Sequence, residues 1–561
     1  MIFENIILAV QELATFKTLL LMSVGTIAGL IAGAIPGFTI AMAVVLTLPF
    51  TFGMPPAQGL ATMIGVFVGG LSGGLMSGIL IGIPGTPSSV ATTFDGFPMA
   101  RKGKPGLALG LGVWASFFGG TISAVLLVTL APQLARIGLE FQPWDYFALI
   151  IFALTIAASL AGANLIKGLI AAALGLLIAT IGEDTVNGIA RFNFGSDSLK
   201  QGFDFLPVLI GLFAFSQLLS DIQDRVRARE KLTETSGVNA RIEHRKAAVM
   251  VLKSWVNLLR SSLIGVFTGI LPAAGSTISN ILAYDQAKKA SKNPQEFGTG
   301  CADGIIAPES ANNATAGGAL ITMMALGIPG DIVTAVMLGA LLIHDVIPSP
   351  SFINDSPVLA YAIFIAFFVA NFLMLFLQSG ALKLFVLITK VRMYVLASII
   401  LAYCGIGIFA LNNVAFDMWT LFWFGILGYV MRNLGFPLAP MILGVVLGRI
   451  AELWLSRATA ITTDISPFFT HPWSLFFIIL AVFSMFFSSY QTQRGYKAWT
   501  IFYTPALIAL LSVPMFMMVG SVRPVLGGGL LVIAAIMMYR SHKRGWKVDP
   551  TDADDHRLSE G

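Results

Sequence analysis

Cysteine, histidine and charge are all scarce in this chain. The two cysteines, Cys301 and Cys404, stand in or beside apolar runs, which argues against a disulfide framework and against a thiolate metal site. The five histidines (His244, His344, His471, His542 and His556) are scattered without ligand spacing. No helix face pairs a nucleophile with a base at Ser/His or His/Asp spacing, so the chain does not read as an enzyme, and no cofactor is implied. Only 11% of the 561 residues are charged while 56% are hydrophobic. With a mean hydropathy of +0.83 and apolar runs of about twenty residues recurring from end to end, a soluble fold is excluded. The net charge of +5 falls mainly in loops and tail, where it orients a membrane protein and does not suggest nucleic acid. Met1 to Thr15 carries Glu4 and Glu12 and lacks a basic start with a small-residue cleavage site, so the first span is expected to serve as the insertion signal.

What the chain does have is a tetrapeptide used twice, Gly82-Ile83-Pro84-Gly85 and Gly327-Ile328-Pro329-Gly330. Proline removes a backbone donor and glycine frees φ, so each copy is expected to break a helix and leave polar backbone away from lipid. A glycine pair precedes each copy, Gly73-Gly74 and Gly317-Gly318. Further upstream, Gly29 to Gly37 with its Pro36 is matched by Gly265 to Ala273 with its Pro272. The offsets, 236 residues between Pro36 and Pro272 and 245 between Pro84 and Pro329, allow one insertion in an internal duplication. Paired interruptions at matching places in two halves point to the binding site of a secondary transporter.

The expected fold is an all-α polytopic membrane protein of about 12 to 14 transmembrane segments, built as two repeated halves with broken or re-entrant helices. The halves are placed at residues 1–220 and 256–472. A basic, cytoplasmic linker at 221–255 separates them, and C-terminal spans at 473–540 and a polar tail at 541–561 follow. Between Lys17 and Arg101 there is no lysine or arginine, so in the first half the loop before the GIPG copy is uncharged and the loop after it is basic. The second half reverses this: Lys288, Lys289 and Lys292 precede its copy, and no basic residue follows until Lys383. Equivalent loops on opposite sides imply inverted halves. Val256 to Ala283, flanked by basic loops at both ends, is either re-entrant or an exception to that rule.

Several residues near the breaks are candidates for a site. Gly70, Gly74, Gly78 and Gly82 share one helix face where another backbone can approach. Thr86, Ser88, Ser89, Thr92 and Thr93 put hydroxyls at a new helix N-terminus, suited equally to capping and to ligand contact. Asn312 and Asn313 suit either a helix tie or the coordination of a cation or anion beside a break. An acid at membrane depth costs about 2.5 to 3.5 kcal/mol, so Glu309 and Asp331 need a compensating role, read as a coupling-ion site. Asp95, close to a basic run, reads as a solvated or salt-bridged loop residue.

These stretches resemble the large membrane (permease) subunit, TctA, of the tripartite tricarboxylate transporter family. The resemblance rests on Gly33-Ala-Ile-Pro36-Gly37, Ile83-Pro84-Gly85-Thr86-Pro87, Asp95-Gly-Phe-Pro-Met-Ala100, Arg191-Phe-Asn-Phe-Gly195, Ala307-Pro-Glu-Ser-Ala-Asn-Asn-Ala314 and Gly327 to Gly330, and runs from about Gly25 to about Pro472. It implies symport of a carboxylate (a tricarboxylate, dicarboxylate or related organic acid) driven by Na⁺ or H⁺ without ATP. It also implies a small membrane subunit and an extracytoplasmic solute-binding protein as partners, and the bacterial cytoplasmic (inner) membrane as location. On this reading Pro36, Gly37, Gly85, Thr86, Ser88, Ser89, Asn312, Asn313 and Gly330 contact substrate. Asn312, Asn313, Glu309 and Asp331 hold the coupling ion, with no metal beyond a candidate Na⁺. The alternatives are a membrane channel or a structural subunit without a transport site of its own. Asp331, Thr322 and His344 to Pro350 depart from the family pattern, which bears on the substrate more than on the fold.

Overall fold

The computed structural model describes residues 2–160, 164–184, 188–223, 241–272, 274–344, 346, 348–388, 393–494, 496–518, 520, 522–543 and 545–546. Residues 224–240 of the basic linker, Arg225, Arg227, Arg229 and Lys231 included, lie outside them, as do Ala273 and the tail from residue 547. Among the described residues the architecture is helical, with one two-residue β-ladder pairing Gly182–Glu183 with Ala190–Arg191. Among the described residues nine helices are long and apolar enough to cross a membrane, and five shorter apolar helices accompany them. The helix Asp303–Leu326 has the length, but its polar residues keep it out of the nine.

Two compact units cut across the sequential halves: residues 1–139 with 193–434, and 140–192 with 435–561. The first unit holds two series of five helices. The first series is α1 (Phe16–Ala34), α2 (Ile40–Thr51), α3 (Pro56–Ile81), α4 (Val90–Arg101) and α5 (Pro105–Gly138). The second is α6 (Trp255–Ile270), α7 (Gly275–Ala290), α8 (Asp303–Leu326), α9 (Ile332–Ile343) and α10 (Pro357–Ile388). A helix meets another inside lipid through close van der Waals packing, which small residues permit. On α1, Gly29 and Gly33 lie where a Cβ would collide with the carbonyls of Val66 and Gly70 of α3, while Gly69 and Gly73 of α3 lie likewise against Thr26 and Leu30. The α6–α8 pair repeats the seam: Gly265 and Gly269 stand against the carbonyls of Ala311 and Thr315, and Gly318 against that of Val266. The glycines read from the sequence, Gly70, Gly74, Gly78 and Gly82, lie against side chains instead, those of Ile40, of Thr86 and Ser89, of Thr93 and of Phe97.

Outward faces are apolar. On α6, Trp255, Leu259, Leu263 and Phe267 recur every fourth residue and are exposed, a lipid-facing stripe at helical spacing. Val256 to Ala283 proves to be a broken pair: α6 stops at Ile270, Leu271 is extended, and α7 starts at Gly275. Upstream, the helix His244–Lys253 meets α6 at 82°.

In the second unit, Leu165–Ala179 packs on Leu438–Ile461 through Gly175 and Gly444, each against a carbonyl of the other helix. Arg191 forks onto both oxygens of Glu452, a bidentate pair that fixes orientation as well as charge. His471 Nδ1 lies 2.7 Å from the buried carboxylate of Asp145.

Candidate functional site

Both long broken helices end in the same way. Gly82 closes α3 at φ 76° and Gly327 closes α8 at φ 71°, each returning its amide to the carbonyl four residues back. A left-handed residue just past the last turn is the usual glycine stop. Pro84 and Pro329 stand two residues beyond these stops and keep the chain from resuming a helix at once. Gly85 then packs against the carbonyl of Gly33 and the Cα of Gly74, and Gly330 against the carbonyl of Gly269 and the Cα of Ala319. The upstream breaks match as well: Ile35 and Leu271 are both extended, at ψ 112° and 121°, and each returns its amide to the carbonyl three residues back. Pro36 is half-buried, and Gly37 is exposed with φ 91°.

Beyond the first break, Pro87–Ser89 forms a 3₁₀ turn leading into α4. Thr86 Oγ1 and Ser88 Oγ share a hydrogen bond of 3.0 Å, and Ser89 Oγ donates to the Thr86 carbonyl at 2.9 Å. Neither Thr86 nor Ser89 caps through its side chain. The capping group comes from α7, where Asn280 Oδ1 accepts the Ala91 amide at 2.8 Å while its Nδ2 donates to Thr92 Oγ1 at 3.4 Å. Beyond the second break Asp331 caps α9: its Oδ1 accepts both the amide and the hydroxyl of Thr334 at 2.7 Å, and Thr334 Oγ1 accepts the Asp331 amide at 3.0 Å. This reciprocal box gives the Asp331 carboxylate a structural use.

The carboxylate that needs a different account is Glu309, on α8 and fully buried. Thr92 Oγ1 of α4 donates to its Oε1 at 2.6 Å, and Ser116 Oγ of α5 donates to its Oε2 at 2.9 Å. Each oxygen thus has a neutral donor. Next to it, Asn312 Nδ2 donates to the Leu71 carbonyl of α3 at 3.0 Å, and Asn313 Nδ2 to the Glu309 carbonyl at 3.3 Å. The Oδ1 atoms of both asparagines are buried without a hydrogen-bond partner. Buried acceptors of that kind are rare enough to need explaining.

Asp95, three residues past Thr92 on α4, overturns its sequence reading. It is fully buried, and its Oδ1 accepts the amides of Gly300 and Cys301 at 2.7 Å and that of Gly298 at 3.0 Å, while Tyr284 Oη donates to Oδ2 at 2.9 Å. The loop leading into α8 folds over the carboxylate, and its glycines at positive φ, Gly298 and Gly300, turn the amides inward. The nearby basic residue Lys102 binds the Thr299 carbonyl instead.

The predicted residues around the GIPG breaks and Glu309 therefore fall into three places. Gly85, Thr86, Ser88 and Ser89 gather at Gly74 of α3, and Asn312 and Asn313 lie within a turn of Glu309. Gly330 and Asp331 sit at Ala319, ten residues beyond Glu309 along α8, which is about 15 Å at helical rise. Sequence reading missed Ser116 and Asn280, whose contacts with Glu309 and with α4 span 193 and 189 residues. An open cleft of about 370 Å³ at the far end of α3 is lined by Pro56, Ser356 and the acids Glu12 and Asp355, a setting unsuited to a carboxylate.

Paired broken helices and three buried carboxylates, Asp95, Glu309 and Asp331, thus stand in one polytopic helical unit. The chain matches the model of the tripartite tricarboxylate transporter TctA family over residues 19–443, and it belongs to that family. It is 33% identical over 402 residues to an uncharacterized 52.8 kDa protein from the TAR-I ttuC' 3' region of Agrobacterium vitis, a match covering 70% of this chain and 77% of that one. A second protein of the same organism, from the TAR-II ttuC' 3' region, is 36% identical over 209 residues, 37% of this chain and 86% of its own length. No solved structure matches. The family is one of transporters and not of enzymes, and the chain is a multi-pass permease component of a tricarboxylate-type transporter.

Proposed function

We propose that this permease imports a tricarboxylate, dicarboxylate or related organic acid across the bacterial inner membrane, fed by an extracytoplasmic solute-binding protein and accompanied by a small membrane subunit. Uptake is coupled to a Na⁺ or H⁺ gradient. The observation that carries the reading is the setting of Glu309: a fully buried carboxylate with a hydroxyl donor on each oxygen, and with unpartnered oxygens of Asn312 and Asn313 beside it. Such a group suits a cation or proton that arrives and leaves. The substrate carboxylate is assigned to the turn Gly85 to Ser89, ahead of the N-terminus of α4, whose dipole and amides favour an anion. Gly330 and Asp331 mark the equivalent turn of the second half, and the recurrence of seam and stop geometry supports two halves of one design. Their inversion is part of the same proposal: cysteines introduced at Gln58 and Asn293 should label from opposite sides of the membrane, and labelling from one side rejects it.

The test is uptake into proteoliposomes holding permease, small subunit and candidate binding protein, with Na⁺ and pH gradients imposed separately over a panel of carboxylates. Saturable, gradient-driven uptake that requires the binding protein is expected, and Glu309→Gln is expected to change the ion dependence. Non-saturating flux would favour a channel. Uptake at the parent rate and with the parent ion dependence in Glu309→Gln would remove Glu309 from the coupling site.

A further inference from the structure

Around one turn of α3 the structure gathers more buried oxygen than it has donors to satisfy. From α8, Asn312 Nδ2 donates to the Leu71 carbonyl at 3.0 Å; from α10, Gln378 Nε2 donates to the adjacent Ser72 carbonyl at 3.3 Å. Both amide groups are oriented by these bonds, because turning either one over would set its oxygen against a carbonyl oxygen. The orientation leaves Asn312 Oδ1 and Gln378 Oε1 within one amide width of the turn, and Ser72 Oγ projects from the turn itself. All three side chains are fully buried, and all three oxygens lack a hydrogen-bond partner.

We infer that Ser72, Asn312 and Gln378 form a binding site for a monovalent alkali cation, Na⁺, at the turn of α3 that α8 and α10 each contact. This rests on the reading of the chain as an ion-coupled permease and gives that reading a ligand set. Hard cations are held by oxygen, and amide carbonyls and hydroxyls supply it without protonation chemistry. The three ligands are neutral, and the cost of bringing an ion out of water rises steeply with its charge. A site without a formal charge among its ligands therefore selects a monovalent ion over a divalent one. Glu309, one turn before Asn312 on α8, stands outside this ligand set. The site also ties the two helix series together, since Ser72 comes from the first and Asn312 and Gln378 from the second.

The test is the thermal unfolding midpoint of the purified full-length protein, titrated with NaCl at constant ionic strength against KCl and choline chloride. A saturable rise specific to Na⁺ is expected. Ser72→Ala and Gln378→Met should weaken its half-saturation about ten-fold or more, while Gln378→Glu, which keeps an oxygen and adds a charge, should retain or tighten it. If Gln378→Met does not fold, Ser72→Ala and Gln378→Glu carry the test. The absence of a Na⁺-specific rise, or one unchanged in Ser72→Ala and Gln378→Met, overturns the inference and leaves the oxygens to ordered water only. Uptake separates this from the wider proposal. Gradient-driven uptake that keeps its Na⁺ dependence in the variants refutes this site alone. A parent protein that moves no carboxylate under any gradient refutes the permease reading, whatever Na⁺ does to the midpoint.

Discussion

The carboxylate of Asp95 and the backbone amide of Cys301, 206 residues apart in sequence, are joined by a hydrogen bond of 2.7 Å. With the amides of Gly298 and Gly300 and the Tyr284 hydroxyl, that bond clasps the loop before α8 onto α4. Thr92, one turn earlier on α4, reaches Glu309 from the same element. The clasp and the site carboxylate are therefore held by consecutive turns of one short helix.

Asp95→Ala should release the loop. Hydrogen bonds to a charged group contribute about 1.5 to 3 kcal/mol each, so a loss on the order of 3 kcal/mol or more is expected once several are removed together. The half-buried Cys301 thiol is a built-in reporter and should react faster with a maleimide in Asp95→Ala than in the parent, with Asp95→Asn intermediate. An unchanged rate would mean that the loop is held by something else.

The glycines at the breaks should be sharply position-dependent. Gly85→Ala and Gly330→Ala each force a methyl group into a carbonyl of the partner seam. Each should lower the unfolding midpoint and reduce uptake, as overpacking of a close contact costs about 1 to 3 kcal/mol. Gly380 of α10 has open space around it, so Gly380→Ala should be neutral or slightly stabilising. Equal effects at all three positions would separate the breaks from any special contact.

At the end of α3 the decisive residue should be Gly82 rather than Pro84. Gly82→Ala places a Cβ at φ 76°, which costs about 1 to 2 kcal/mol from the backbone alone, and the Phe97 ring stands 3.0 Å from that atom. Pro84→Ala leaves the left-handed stop in place, so its unfolding midpoint should stay closer to the parent's. The reverse order would show that proline sets the break.

A fourth prediction concerns Glu140 and Arg523, paired at 2.6 Å in the second unit. The hydrogen bond from Arg523 holds the Glu140 carboxyl below its ordinary value. A depressed folded value stabilises above the unfolded one, about 4.3 for glutamate, and that contribution fades as pH falls through the lower folded value. Arg523→Met should return the Glu140 titration to the ordinary range, measured by NMR on a side-chain-labelled sample, with little change in stability at pH 7 because the pair is exposed.

The breaks were legible because glycine and proline act locally: whichever fold surrounds Gly82-Ile83-Pro84-Gly85, a continuous helix is poorly compatible with it. Helical character followed from the apolar composition, since backbone in lipid must satisfy its own hydrogen bonds. What one sequence does not display is the partner. Asn280 caps α4 from 189 residues away, and no spacing rule links the two. Asp95 was misread because neighbouring lysines and arginines suggested solvent, whereas most of its donors are backbone amides, which every residue but proline carries. The second glycine stripe of α3, at Gly65, Gly69 and Gly73, has the same period as the one chosen. Only the packed structure shows that its Cα positions face the carbonyls of α1, while those of the other face side chains.

The backbone seams between α1 and α3, and between α6 and α8, also decide how this protein can move. Where main chain rests on main chain, no flexible side chain lies between the helices to absorb shear, and sliding would have to jump whole steps of the helical surface. Each pair is then a stiff blade. Hinging is left to the links between helices: the extended residues after Ala34 and Ile270, and the turns from Gly82 to Ser89 and Gly327 to Asp331, which dock on the blades through Gly85 and Gly330. In the proposed scheme one of these turns, Gly85 to Ser89, receives the substrate carboxylate, so ligand and hinge share residues there, and occupancy sets the angle of a blade directly.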